Sequence, residues 1–135
     1  MNKPKFILSY CAVFVFIFFF EWLFHGVMLN DIYMSTASLW RTPEAMHSRF
    51  LWMLLGDALL AIFFCAIFLQ GYKNKGIMEG VRYGLLIGLL FAPMHIMMYV
   101  VLPISPLLMV YWLMGSFVEF IIAGIITAAI YRPLN

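Results

Sequence analysis

Charge is what this sequence is short of. Asp, Glu, Lys and Arg make up 10% of its 135 residues, against the roughly 25% found in a water-soluble domain. A chain that is also 66% hydrophobic cannot cover itself in water, so lipid is part of its solvent. Polar alternation is missing too. Strands of a membrane barrel alternate polar and apolar side chains over about ten positions, and the apolar runs here are uninterrupted. That excludes the closed barrel, the only other spanning architecture, and leaves an all-α integral membrane bundle. Cysteine is scarce: Cys11 and Cys65 both fall within apolar runs, which excludes a secreted disulfide framework and makes them small packing residues. No small-x-small cleavage site follows the first apolar run, where Phe18-Phe19-Phe20-Glu21-Trp22 stands instead, so that segment is expected to stay as a span. Also missing are a nucleophile with its base, a phosphate loop and a dinucleotide fingerprint, which makes an enzyme reading weak. No basic stripe interleaved with aromatics points to nucleic acid.

What is present is four apolar segments, residues 6–29, 50–69, 83–102 and 107–131, each reaching the about 20 residues of a membrane span. Little chain remains outside them, so residues 1–135 are expected to form one domain, a four-helix bundle. Lys3, Lys5, Lys73, Lys75, Arg82 and Arg132 flank one side of it and only Arg41 and Arg49 the other. That bias predicts cytoplasmic N- and C-termini. Tyr72, Tyr83 and Tyr131 then mark the inner interface, while Trp22, Trp40, Trp52 and Trp112 fall in or beside the outer half.

Local signals refine the spans. Thr42-Pro43-Glu44 is a strong helix start, with an N-cap residue, a proline at the first position and an acid in the first turn. It predicts that the second helix begins outside the lipid and runs over 43–69, a length of about 40 Å. The stretch 31–49 is expected outside, with Met34 and Trp40 resting on the interface. Gly80, Gly84, Gly88 and Ala92 form a small-residue stripe that lets another helix approach closely. Gly115, Glu119, Ala123 and Thr127 repeat that spacing in the last span, and Asp57, Ala61 and Cys65 in the second. Pro93 is expected to kink the third helix, and Ser105 to cap the fourth.

The run Lys75-Gly76-x-x-Glu79-Gly80-x-Arg82-Tyr83-Gly84, with the early Trp22/His25-Gly26 element and Trp112-x-x-Gly115, resembles bacterial families of small four-span membrane proteins known only as domains of unknown function. The resemblance covers most of the chain. It implies a multi-pass protein of the bacterial inner membrane, and it brings no activity or cofactor with it. Glu79 and Arg82 also read as helix-start chemistry and an inside anchor.

The chemistry lies in ionisable residues set within apolar sequence: Glu21 and His25 four residues apart, then Asp57, His95 and Glu119, one in each later span. A charge at the centre of a spanning helix costs about 2.5–3.5 kcal/mol on insertion scales, which makes such residues functional candidates by default. Counting along the helices puts Glu21, Asp57 and His95 roughly 10–12 Å below the outer edge and Glu119 deeper, at about 18 Å. The five are thus expected to converge in the outer half. Two readings follow. One is a site for a cation, a proton or a small polar ligand. The other is a structural or assembly subunit whose acids lock helices together, although such hydrogen bonds contribute only about 1–2 kcal/mol. A di-metal carboxylate centre would need Glu-x-x-His repeats, which are absent. A soft metal would take His95 with Met94, Met97 and Met98, and haem between His25 and His95 is disfavoured by the carboxylates beside it. His47 is expected to face water. Three carboxyls in one low-dielectric pocket cannot all ionise without a cation, so at least one of Glu21, Asp57 and Glu119 is expected to carry a proton. The expected partners are the lipid bilayer and further copies of the chain or a larger membrane complex.

Overall fold

The structure, a computed structural model, describes residues 2–131; Arg132, one of the flanking cations, lies outside them. The chain is helical almost throughout. Helix α1 (Lys3–Glu21) runs on as a π-helix (Trp22–Met28), followed by α2 (Asn30–Ser35), a 3-10 turn (Ala37–Leu39), α3 (Pro43–His47), α4 (Phe50–Gly71), α5 (Ile77–Val101) and α6 (Pro106–Tyr131). Among the described residues, four helical stretches are long and apolar enough to cross a membrane: Lys3–Met28, Phe50–Gly71, Ile77–Val101 and Pro106–Tyr131. The protein is an all-α, multi-pass membrane protein. Its terminal end holds the start of α1, the link between α4 and α5, and the end of α6. Its loop end holds residues 29–49 and 102–105.

Because the spanning helices are apolar on every side, shape rather than polarity decides which face packs inward. Helix α6 is the centre: α1 and α5 lie along it, and α4 packs on α1. The glycine stripe of α5 explains the closest of these contacts. A Cβ on Gly80 would stand 2.1 Å from the Gly124 carbonyl oxygen, and one on Gly84 would stand 2.1 Å from that of Phe120. Only glycine lets the two backbones meet so closely, which is how helices gain van der Waals contact without a hydrophobic drive. Gly88 receives the ring of Phe117, and Ala92, next on the stripe, is half-buried. The main core joins Val13 and Ile17 of α1, Ala61, Phe64 and Cys65 of α4, and Phe120 and Ala123 of α6.

Several sequence expectations are corrected. The second helix is not continuous from Pro43. It stops at His47 and restarts at Phe50, because Ser48 and Arg49 turn their side chains back onto the Ala45 carbonyl, at 2.9 and 2.8 Å, and compete with the helix for it. The Thr42 cap itself is present, accepting from the Ala45 N–H. Helix α5 begins at Ile77, ahead of the apolar span from 83, with Glu79 in its first turn as its helix-start reading expects. The Glu79 carboxylate accepts from the backbone N–H groups of Lys73 and Lys75 and ties the link to the first turn. Tyr83 packs within the bundle. Its hydroxyl donates to the Phe64 carbonyl at 2.7 Å, and its ring meets Phe64 and Phe68, closing α4 against α5. Cys65 is buried, but Cys11 faces outward and packs against nothing in the core. Helix α5 stays helical through Pro93. Ser105 caps α6, accepting from the Leu108 N–H at 3.1 Å.

The loop end has a small core of its own. Leu29, Ile104 and Leu108 are buried there under Ile32, Tyr33, Trp40 and Trp112. Trp40 donates to the Thr36 hydroxyl at 3.0 Å and sets its ring against Tyr33 and Trp112. It covers the end of the bundle instead of resting beside it, whereas Met34 stays exposed.

Candidate functional site

Along α1 the buried residues are Ser9, Val13 and Ile17, four apart, and Glu21 is the next residue on that line. Beyond it the backbone widens into the π-helix, where Leu29 donates to the Phe24 carbonyl five residues back. Such π segments recur at functional sites because they re-aim side chains that an α-helix would carry past. Here His25 is held beside Glu21, its Nε2 at 3.3 Å from Glu21 Oε2. Phe24 stacks on Phe20 and enters the notch at Gly115, where a Cβ would stand 2.4 Å from its ring.

Opposite stands one face of α6. Trp112, Gly115, Ser116 and Glu119 fall at i, i+3, i+4 and i+7, the spacing that lines up one side of a helix. Glu119 is 4% exposed, and its carboxyl lies in hydrogen-bonding contact with that of Glu21. The depth count from sequence had set Glu119 well below Glu21. Side chains lean toward the N-terminus of their own helix, so Glu21 leans toward the terminal end and Glu119 toward the loop end. The two lean toward each other and close the gap.

Two carboxylates in contact repel unless they share a proton. With both ionised neither oxygen can donate, and Glu119 Oε1 is left buried with no hydrogen-bond partner. One proton turns the contact into a hydrogen bond. Asp57 adds a third acidic group within electrostatic range of both, and its Oδ2 is likewise buried and unpartnered.

From Glu21 the polar contacts continue toward the loop end. His25 Nδ1 lies 2.6 Å from the Tyr33 hydroxyl, which accepts from Trp112 Nε1 at 2.7 Å. Indole offers only a donor. The Tyr33 oxygen therefore accepts there, and its own proton is free for His25 Nδ1. That assignment leaves the imidazole proton on Nε2, facing Glu21. Burial raises the Tyr33 phenol above its ordinary pKa, opposed by the Trp112 hydrogen bond and reinforced by the charge of Glu21, so Tyr33 keeps its proton near neutral pH. On the other wall, His95 Nε2 lies 2.7 Å from the Ser116 hydroxyl.

These groups surround a cavity of about 300 Å³ lined by Phe20, Glu21, Phe24, His25, His95, Trp112, Gly115, Ser116 and Glu119. Of the residues singled out in the sequence, Glu21, His25, His95 and Glu119 meet there. Asp57 stands near the carboxyl pair without lining the cavity. Met94, Met97 and Met98 are all exposed on the outer side of α5, so their thioethers do not join the His95 imidazole. Among the described residues no three His, Cys, Asp or Glu side chains come together closely enough to hold a metal ion. His47 is exposed outside the bundle.

Sequence reasoning missed Tyr33, Trp112 and Ser116 as members of the site. Trp112 and Ser116 had a signal, since they share the helical face of Glu119. Tyr33 had none, because residues 31–49 read as an external connection. Comparison of the chain with protein-family models, with curated proteins and with solved structures returns no match.

Proposed function

We propose that this membrane protein holds one exchangeable proton on the Glu21–Glu119 carboxyl pair and passes it through His25 and Tyr33 to the loop end of the bundle. The observation that carries the reading is the unbroken line of polar contacts from Glu119 to Glu21, His25 and Tyr33. Each carboxyl and the imidazole can take a proton on one side and release one on the other; Tyr33, half-buried on α2, hands its own proton to water at the loop end, since the Trp112 N–H beside it only donates. Imidazole does so between its two nitrogens, and a hydroxyl gives up its own proton as it receives the next. The line starts at a residue sealed from water and ends on α2, outside the spanning helices. The alternative, acids that merely lock helices, is poorly served by buried oxygens without partners. An unsatisfied buried polar group costs about 1–3 kcal/mol, and Glu119 Oε1 and Asp57 Oδ2 are two of them.

The charges at the two ends support an orientation. Lys3, Lys5, Lys73, Lys75 and Arg82 stand at the terminal end, against Arg41 and Arg49 at the loop end. By the positive-inside rule the termini are cytoplasmic and the cavity belongs to the outer half. With the resemblance given above, we read the membrane as the bacterial inner membrane.

Infrared spectroscopy of the purified protein in lipid nanodiscs tests the reading. A protonated-carboxyl C=O band is expected near neutral pH in the wild type, and its loss in both Glu21→Gln and Glu119→Gln. A wild-type spectrum without that band overturns the proposal.

A further inference from the structure

The cavity beside the carboxyl pair has a composition that a proton alone does not explain. Its acidic wall is Glu119, 4% exposed and with Oε1 unpartnered, in contact with Glu21. Its remaining walls include the rings of Phe20, Phe24 and Trp112. Its volume of about 300 Å³ sits at the small end of the roughly 300–1,000 Å³ typical of ligand pockets. A hard metal cation takes about six to eight oxygen ligands, and no three candidate ligating side chains converge among the described residues. An ammonium group asks for something else: one or two carboxylate oxygens, and aromatic faces whose quadrupoles attract the charge. Carboxylate oxygens and aromatic side chains both line this cavity. Helices α1 and α5 each pack along α6 rather than broadly on one another, so the cavity lies in a groove over α6 between them.

We infer that the cavity binds a small organic monocation, its ammonium group on the Glu21–Glu119 pair and its hydrocarbon part against Phe20, Phe24 and Trp112, in exchange for the proton shared by the pair. This rests on the proton-holding reading above. The groups that face the exchange site are Glu21 and His25 from the first span, Tyr33 from α2, Asp57 from α4, His95 from α5 and Glu119 from α6. The exchange is balanced: one cation enters, one carboxyl O–H bond breaks, and one proton leaves toward His25. The charge of the site is the same before and after, which avoids the penalty of adding an uncompensated charge to a buried pocket.

Calorimetric titration of the protein in nanodiscs with benzylammonium, its neutral isostere benzyl alcohol, and potassium tests the inference. Benzylammonium is expected to bind and to release one proton per molecule, read from the heat in buffers of different ionisation enthalpy. While the pair is protonated, its affinity is expected to rise roughly tenfold per pH unit, as linkage to one proton requires. Glu119→Gln abolishes binding, and Trp112→Leu weakens it by about 2- to 10-fold, the range of one lost aromatic contact with the hydrocarbon part. Equal binding of benzyl alcohol overturns the inference, as does potassium binding with the same proton release. If benzylammonium fails to bind while the protonated-carboxyl band remains, the ligand inference falls and the proton reading stands. If that band is absent as well, both fall. The wild-type comparisons hold even where a variant does not fold.

Discussion

The two halves of the bundle are built from the same apolar helices but solve different problems. Toward the terminal end, α5 and α6 meet backbone to backbone at Gly80, Gly84 and Gly124, and aromatic rings of α4 and α5 fill what remains. Thr127 donates there to the Ala123 carbonyl one turn back, and Tyr83 across to that of Phe64 on α4, while Ser9 Oγ is buried without a partner. Toward the loop end the backbone opens into a π-helix, a cavity appears over α6, and carboxyls meet with oxygens left unpaired. One half gains its stability from close packing. The other gives some up to keep ionisable groups together inside a membrane, as strained or unsatisfied sites do when they carry function.

Substitutions should separate these halves, and the largest effect belongs to the packed one. Gly84→Leu forces a side chain into the Phe120 backbone, where even a Cβ would stand at 2.1 Å. It is expected to destabilise the bundle by about 4 kcal/mol or more, read as a large drop in thermal unfolding temperature in detergent. A loss near zero would mean that α5 and α6 are not packed through their glycines. Next comes Tyr33→Phe, which leaves the Trp112 N–H without its acceptor and His25 Nδ1 without its donor. The expected cost is about 1–3 kcal/mol, with the fold retained by circular dichroism. Asp57→Leu replaces an acid whose Oδ2 has no partner by an apolar side chain, so a gain of about 1 kcal/mol is expected. A clear loss would show that Asp57 is held by a partner. Met94→Leu and Met97→Leu lie on the outer face of α5 and should change stability by less than about 0.5 kcal/mol.

The same contrast sets what could be read from the sequence. The spans follow from hydropathy alone. The stripe from Gly80 to Gly88 follows from spacing, because close backbone approach needs small residues at each crossing. Glu21, His25, His95 and Glu119 stand out as ionisable groups in apolar sequence. The π turn had no signal: residues 22–28 are hydrophobic on nearly every side, so a change of helical period leaves no mark in their pattern. The fold-back of residues 30–40 was hidden for another reason. Its hold on the bundle is the Tyr33, Trp40 and Trp112 cluster, and aromatics near a span end read equally well as interface anchors. The meeting of Glu21 with Glu119 was blurred by counting depth along backbones, which ignores the opposite lean of side chains on antiparallel helices.

The central claim is that the carboxyl proton communicates with the loop end through His25 and Tyr33. Its most direct test is the rate at which the protonated-carboxyl infrared band shifts when nanodisc-held protein is moved from H2O to D2O. Wild type is expected to shift promptly and Tyr33→Phe slowly, with the amplitude of the band unchanged. Equal rates in the two proteins would contradict the relay.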